Sequence, residues 1–201
     1  MALGICRAVL ITGCSRGIGL GLVRGLLARS PAPDLVIATC RNPDQAQELQ
    51  QLKEQHQSLR VLQLDIVCED SIRKVVRETE ALVGEKGLNC LINNAGINRI
   101  ATLDSVTAQD MLTIYETNTV AQLMVSKTAL NMITCCLAAD LMSDGILCIS
   151  LEPGWVKTDM GGSKAPLQLK ETIPGILNVL ANLREKDHGA FLDWKGEVLP
   201  W

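Results

Sequence analysis

The 201-residue sequence predicts an α/β fold with a doubly wound parallel sheet, on three observations. Short apolar runs alternate with longer amphipathic stretches, as strands buried on both faces alternate with the helices that cover them. A glycine-rich turn joins the first apolar run to the first helical stretch. With 47% hydrophobic and 20% charged residues, a chain of this length can bury one sizeable core.

The first strand is Ala8 to Thr12, and the turn 13–19 leads it into a helix reaching about Ala28. Ser30-Pro31-Ala32-Pro33 breaks the chain before a second strand, Asp34 to Cys40. A helix from about Pro43, a third strand from Arg60 to Leu64, a helix from Ser71 as N-cap and a fourth strand from Leu88 to Asn93 follow. Thr107-Ala108-Gln109-Asp110 reads as a capping box in which Asp replaces the usual Glu. From there to about Leu141 no Gly, Pro or strand-like break occurs. One helix of that length would span about 50 Å against about 20 Å for a strand. It therefore either overhangs the sheet or breaks, with the β-branched and Cys-rich Ile133-Thr134-Cys135-Cys136 as the expected place. Gly145 to Leu151 reads as a strand that either moves in beside Leu88 to Asn93 or leaves a gap in the sheet with unpaired backbone on both sides, Thr172 to Leu183 as a helix, and Ala190 to Trp194 as a short last strand. No repeat or linker interrupts the chain, so residues 1–201 are expected to form a single domain.

Lysine plus arginine number 19 against 22 acidic residues, a net charge of −3, which offers no basic surface to nucleic acid or anionic membrane. Arg7, Arg16 and Arg24 interrupt every N-terminal apolar run, so neither a signal peptide nor a membrane span is expected. A soluble, cytoplasmic protein follows. The eight cysteines include no C-x-x-C and the chain has two histidines, which favours free thiols in a reducing compartment over a metal site.

Thr12-Gly13-Cys14-Ser15-Arg16-Gly17-Ile18-Gly19 sets three glycines in a strand-to-helix turn. Such a Rossmann-type turn lets a pyrophosphate approach main-chain N–H groups at the positive end of a helix; alternatively, the glycines serve only helix packing. The second strand ends Thr39-Cys40-Arg41, with no acidic residue until Asp44 to bind a ribose 2′-hydroxyl. Arg41 together with Arg16 would form charge-assisted bonds to a 2′-phosphate, which predicts NADP(H) over NAD(H); the alternative is two solvated arginines.

With Asn93-Asn94-Ala95-Gly96 after the fourth strand, the sequence resembles the short-chain dehydrogenase/reductases. The stretch Pro153-Gly154-Trp155-Val156-Lys157-Thr158-Asp159-Met160-Gly161-Gly162, with Ala165-Pro166 and the ending Gly196 to Trp201, resembles their C-factor or sniffer-like carbonyl reductases. That resemblance implies a pyrophosphate over Gly13, Ser15, Arg16, Gly17, Ile18 and Gly19, adenine at Asp65 and Ile66, and the cofactor ribose beside Asn93 to Gly96. It further implies Val156 and Thr158 at the nicotinamide carboxamide, Asn118 holding a relay water, and Lys127 in the region of the catalytic lysine.

The family's chemistry also needs a tyrosine four residues before that lysine and a serine on the preceding strand end. Four residues before Lys127 stands Leu123, and the only tyrosine, Tyr115, is followed four residues later by Thr119. Ser150 lies three residues before Pro153-Gly154, on the following strand, and reads as structural. Only nine residues separate Asn118 from Lys127, where the resemblance implies the rest of a helix, the family's fifth strand, a loop and the start of the next helix. The sequence thus reads as an internally deleted, splice-type isoform, joined within Ala121 to Lys127, whose sheet lacks one strand. Lys127 itself could derive from either flanking helix. Three functions stand open: an NADP(H)-dependent carbonyl reductase or alcohol dehydrogenase acting on a small carbonyl or alcohol, a non-catalytic cofactor-binding or regulatory isoform, and a poorly folding product. The oligomeric state stays open, with a homodimer or a heterodimer with a full-length form as the candidate assemblies.

Overall fold

The computed structural model describes residues 7–97, 107–115, 117 and 127–200. The chain divides into two compact units, one over 4–95 and one over 96–201 with the first three residues.

The first unit runs β1 (Ala8–Ile11), α1 (Gly17–Leu27), β2 (Leu35–Cys40), α2 (Gln47–Gln55), β3 (Leu59–Gln63), α3 (Glu69–Val83) and β4 (Cys90–Ile92). Its four strands are parallel in the order β3-β2-β1-β4. The chain thus steps outward from β1 through β2 to β3, then returns across β1 to β4. Because parallel crossovers are right-handed, this reversal puts α1 and α2 on one face of the sheet and α3 on the other. Both faces are apolar, as that arrangement demands: all four residues of β1 and five of the six in β2 are buried. Register partners Leu10 and Ile37 share one face with Leu64 and Val75 of α3, and Leu35, Leu62, Val83 and Leu88 pack around them. Val9, Ile11, Val36 and Ala38 point the other way, toward the buried side of α1, which includes Leu20, Val23, Leu26 and Leu27.

Two predicted boundaries move. The helix from Pro43 is a short 3₁₀ turn followed by α2 from Gln47, and α3 begins at Glu69 rather than Ser71. Cys68 occupies the N-cap of α3, and the Ser71 hydroxyl accepts the Asp65 N–H at 2.9 Å instead, tying the end of β3 to the helix.

The second unit holds α4 (Ala108–Tyr115), α5 (Lys127–Leu141), β5 (Ser150–Glu152), α6 (Leu169–Asn182) and β6 (Phe191–Asp193). The expected capping box forms at α4: Thr107 Oγ1 accepts the Asp110 N–H at 3.0 Å while Asp110 Oδ2 accepts the Thr107 N–H at 3.2 Å. α5 runs without a break through Ile133 to Cys136, contrary to the expected interruption there. Residues 118–126, with Asn118 and most of the expected join, lie outside the described residues.

β5 and β6 are parallel, paired Ser150 to Phe191 through Glu152 to Asp193, and α6 is their crossover. Among the described residues, the ladders form two sheets, β3-β2-β1-β4 in the first unit and β5-β6 in the second. Val179, Leu183 and Leu192 form this unit's core cluster, with Leu147, Ile149 and Leu151 against it. β5 is shorter than the predicted Gly145 to Leu151 because Gly145, at φ +70°, turns the chain, and the Cys148 N–H goes to the ring of His188 rather than to a backbone carbonyl. Since His188 Nδ1 accepts that N–H at 3.2 Å, Nε2 carries the ring proton and donates to the Ala138 carbonyl at 2.6 Å. One imidazole thus ties α5 to the approach to β5. Among the described residues, no helix is long and apolar enough to cross a membrane.

Replacing His188 by Ala strands the Cys148 N–H and the Ala138 carbonyl together. We expect a loss of about 1–3 kcal/mol in urea unfolding, against a change within about 0.5 kcal/mol for Cys68→Ser at an exposed position.

Candidate functional site

In an open parallel sheet the crevice lies outside the strand carboxyl ends where the order reverses, here between β1 and β4. Thr12 leaves β1 with its N–H still on the Ile92 carbonyl at 3.0 Å. Its hydroxyl then accepts two N–H groups from the other side of the reversal, those of Asn94 and Ala95, each at 3.0 Å. The Asn94 amide answers by donating to the carbonyls of Thr12 at 2.9 Å and Gly13 at 3.1 Å. Four hydrogen bonds therefore clamp the glycine turn to the end of β4.

The clamp explains two glycines. Gly13 takes φ +73°, and a Cβ there would stand 2.7 Å from the Ala95 Cα. A Cβ on Gly19 would meet the Gly13 carbonyl oxygen at 2.3 Å and the Asn94 amide nitrogen at 2.6 Å. Gly17, at φ +61°, supplies the left-handed step into α1. The other side of the turn is tied to β2: the Cys14 N–H donates to the Thr39 carbonyl at 2.8 Å, and the Thr39 hydroxyl donates to the Ile11 carbonyl at 3.2 Å. Cys14 is fully buried, its thiol donating to the Ile11 carbonyl at 3.2 Å. Burial pushes that thiol up to about 12, so it is a neutral packing group and not a nucleophile. Burial also raises Cys40 at the end of β2.

α1 begins from Arg16 in an extended conformation, with no side-chain cap and no acidic residue in its first turn. Its positive end is thus left uncancelled by a carboxylate, which suits an anion. Ser15 and Arg16 are exposed, Gly17 and Ile18 half-buried, and Arg41 is exposed just beyond β2. Asp65 and Ile66 follow β3 by two and three residues; the Asp65 carboxylate accepts the Val67 N–H at 3.2 Å. Asn93 is exposed, while Asn94 and Ala95 are half-buried in the clamp. The predicted residues 13–19, 41, 65, 66 and 93–95 therefore all sit at the carboxyl ends of the four strands of one sheet.

The remaining predicted residues belong to the second unit. Gly96 is exposed, and Lys127 is the first residue of α5. Val156 is buried and paired with Leu167 in a β-bridge. The Thr158 hydroxyl accepts the Gly161 N–H at 3.1 Å and donates to the Val156 carbonyl at 3.4 Å, closing the loop on itself. Trp155 Nε1–H completes that loop on the Gly161 carbonyl at 2.7 Å. Ser150 is structural, as expected: it is buried, with its hydroxyl 2.8 Å from that of Thr134 on α5.

Thr12 and Thr39 are the site residues that sequence reasoning missed. The available signal was a threonine directly after an apolar strand and before the first glycine; that its hydroxyl serves the Asn94 segment needed the strand order.

Comparison with known proteins agrees with this geometry. The profile of the short chain dehydrogenase family matches residues 7–131. An uncharacterised oxidoreductase of Schizosaccharomyces pombe is 26% identical over 249 aligned residues, taking in 95% of this chain and 96% of that protein. The carbonyl reductase Sniffer of D. melanogaster superposes with a TM-score of 0.92 at 34% identity, over 97% of this chain and 99% of its own. The NADPH-bound carbonyl reductase from chicken fatty liver gives a TM-score of 0.91 at 38% identity, over 99% of this chain and all of its own.

Two outcomes check the clamp and its thiol. Gly19→Ala forces the Gly13 carbonyl and Asn94 amide apart, and should lower stability by about 1–3 kcal/mol in urea unfolding. Because Cys14 is raised from an ordinary 9.0 to about 12, the unfolded chain releases this proton at a pH where the native protein keeps it. Stability contributed by the neutral thiol is therefore complete below about pH 9 and falls as pH rises toward 12, approaching about 1.4 kcal/mol per pH unit. Urea unfolding at pH 8 and pH 10.5 should show a smaller decline for Cys14→Ala than for the parent chain.

Proposed function

The chain belongs to the short chain dehydrogenase family, and from that membership we propose an NADP(H)-binding oxidoreductase scaffold of the carbonyl reductase and alcohol dehydrogenase class, with its catalytic serine and tyrosine missing. The observation that carries this reading is the coexistence of a complete clamped turn at the β1/β4 reversal with the absence of any Tyr-x-x-x-Lys in the sequence. The turn is the part that binds. The tyrosine is the part that gives a proton.

NADP(H), when bound, supplies the hydride chemistry. The main chain of Gly13 to Gly19 would hold the pyrophosphate at the start of α1, and Arg16 with Arg41 the 2′-phosphate. Asp65 and Ile66 would border the adenine, Asn93 to Gly96 the ribose, and Val156 with Thr158 the carboxamide. The NADPH in the chicken reductase supports the cofactor class, and the exposed Arg41, with no acidic residue at the end of β2, supports the 2′-phosphate preference. Lys127 would bind the nicotinamide ribose and Asn118 would orient a relay water. Without a tyrosine before Lys127, its charge has no phenol to acidify, and an alkoxide forming on a small carbonyl substrate would lack its proton donor.

The alignment with the yeast relative runs over 249 positions but takes in 95% of 201 residues, about 191, so about 58 positions face no residue of this chain. A deletion between Asn118 and Lys127 removes the strand and helix start that carry the missing serine and tyrosine. The alternative function, which the same loss favours, is a cytoplasmic cofactor-binding or regulatory isoform that associates with full-length partners.

Titration with NADPH and NADH, paired with NADPH oxidation over a panel of small aldehydes and ketones, tests the proposal. NADPH should bind more tightly than NADH, and turnover should lie about 10²- to 10⁴-fold below that of the chicken reductase measured alongside. Turnover equal to that enzyme's would overturn the catalytic part, and failure to bind either cofactor would overturn the whole.

A further inference from the structure

The cofactor preference proposed above depends on where Arg41 stands, and two side-chain contacts hold the short segment that carries it. The Gln63 side chain, at the end of β3, donates from Nε2 to the Arg41 carbonyl at 3.0 Å. Two residues further on, Gln50 of α2 donates from Nε2 to the Pro43 carbonyl at 3.0 Å. The β2–β3 ladder explains why Gln63 is available: it is the register partner of Cys40, the last residue of β2. The two strands end together at this pair, the Leu64 N–H closes the ladder on the Cys40 carbonyl at 2.9 Å, and the four-atom Gln63 side chain reaches the next carbonyl along, that of Arg41. Leu62 and Leu64 face the α3 side of the core, which turns Gln63 away from it and leaves its amide at the exposed rim.

We propose that Gln63 is a positioning residue for NADP(H) selectivity, acting through Arg41. It touches the Arg41 main chain and leaves the guanidinium free of that bond. It therefore sets the place from which the arginine reaches without competing for the charge that would meet a 2′-phosphate. An arginine on an untethered loop would lose more conformational freedom on meeting the phosphate, and that cost would fall on NADPH alone, since NADH offers nothing for Arg41 to bind. The inference rests on the proposed role of Arg41, and the experiment separates the two.

NADPH and NADH are titrated by calorimetry into the full chain and into Arg41→Ala, Gln63→Met and the double variant, with Gln63→Asn as a second test that keeps the amide but shortens its reach. Thermal melts accompany each. Loss of this one hydrogen bond should weaken NADPH binding about three- to tenfold, with NADH unchanged, and should add nothing once Arg41 is already alanine. If Arg41→Ala leaves the preference intact, the cofactor reading itself falls and takes the inference with it. If Arg41→Ala abolishes the preference but both Gln63 variants keep it, only the role of Gln63 is overturned. Equal weakening of both cofactors, or a further NADPH loss in the double variant, would show a merely structural residue and overturns it too.

Discussion

Everything built at the carboxyl ends of the first unit's strands depends on the exchange of hydrogen bonds between Thr12 and Asn94. A sheet whose strand order reverses leaves two adjacent strands whose following segments go to opposite faces, so nothing in the ladder holds those segments together. Here one hydroxyl accepting two N–H groups, and one amide donating to two carbonyls, supply that link. The link requires the backbone of Gly13 to lie against Ala95 and that of Gly19 against Gly13, closer than any side chain allows. The glycines are therefore consequences of the clamp as much as conditions for a ligand. The reading of them as packing residues and the reading of them as a phosphate turn describe the same geometry.

The second unit has a different logic. Its two strands are short, and its cohesion comes from single polar side chains that tie helix to strand: Thr134 with Ser150, and His188 between Ala138 and Cys148. The loop after β5 is similarly self-contained, with the Thr158 hydroxyl and Trp155 indole both spent on Gly161. A glycine is forced at Gly175 because the ring and carbonyl of Trp194 stand 2.6 Å from where a Cβ would be. These contacts keep α5, α6 and the β5–β6 pair in register. The glycine turn of the first unit is held by a set of contacts of its own, separate from these.

What could be read in advance divides along a physical line. β1, β2 and the glycine turn were legible because parallel strands buried on both faces must be continuously apolar, and because Gly13 and Gly17 have positive φ that other residues resist. The Thr107–Asp110 box was legible because both partners lie within one turn. Ser71 misled for the opposite reason: a serine before an amphipathic run looks like a cap, but its hydroxyl was claimed by Asp65, the residue that ends the preceding strand connection. The expected break at Ile133 to Cys136 failed because β-branched residues weaken a helix only slightly, and Thr134 is anchored there by Ser150.

By itself, then, the sequence determined the α/β class, the strand-to-helix glycine turn and the absence of a Tyr-x-x-x-Lys, since each of these is written in composition, period or local spacing, while the family was legible as a resemblance in the order of its motifs. Tertiary structure decided which distant groups meet: that Thr12 faces Asn94, that Gln63 reaches Arg41, that β5 takes β6 as its partner, and that Cys14 is a buried, inert thiol. Those outcomes depend on strand order and register, which bring residues dozens of positions apart to within 3 Å or so, a distance no periodicity along the chain encodes.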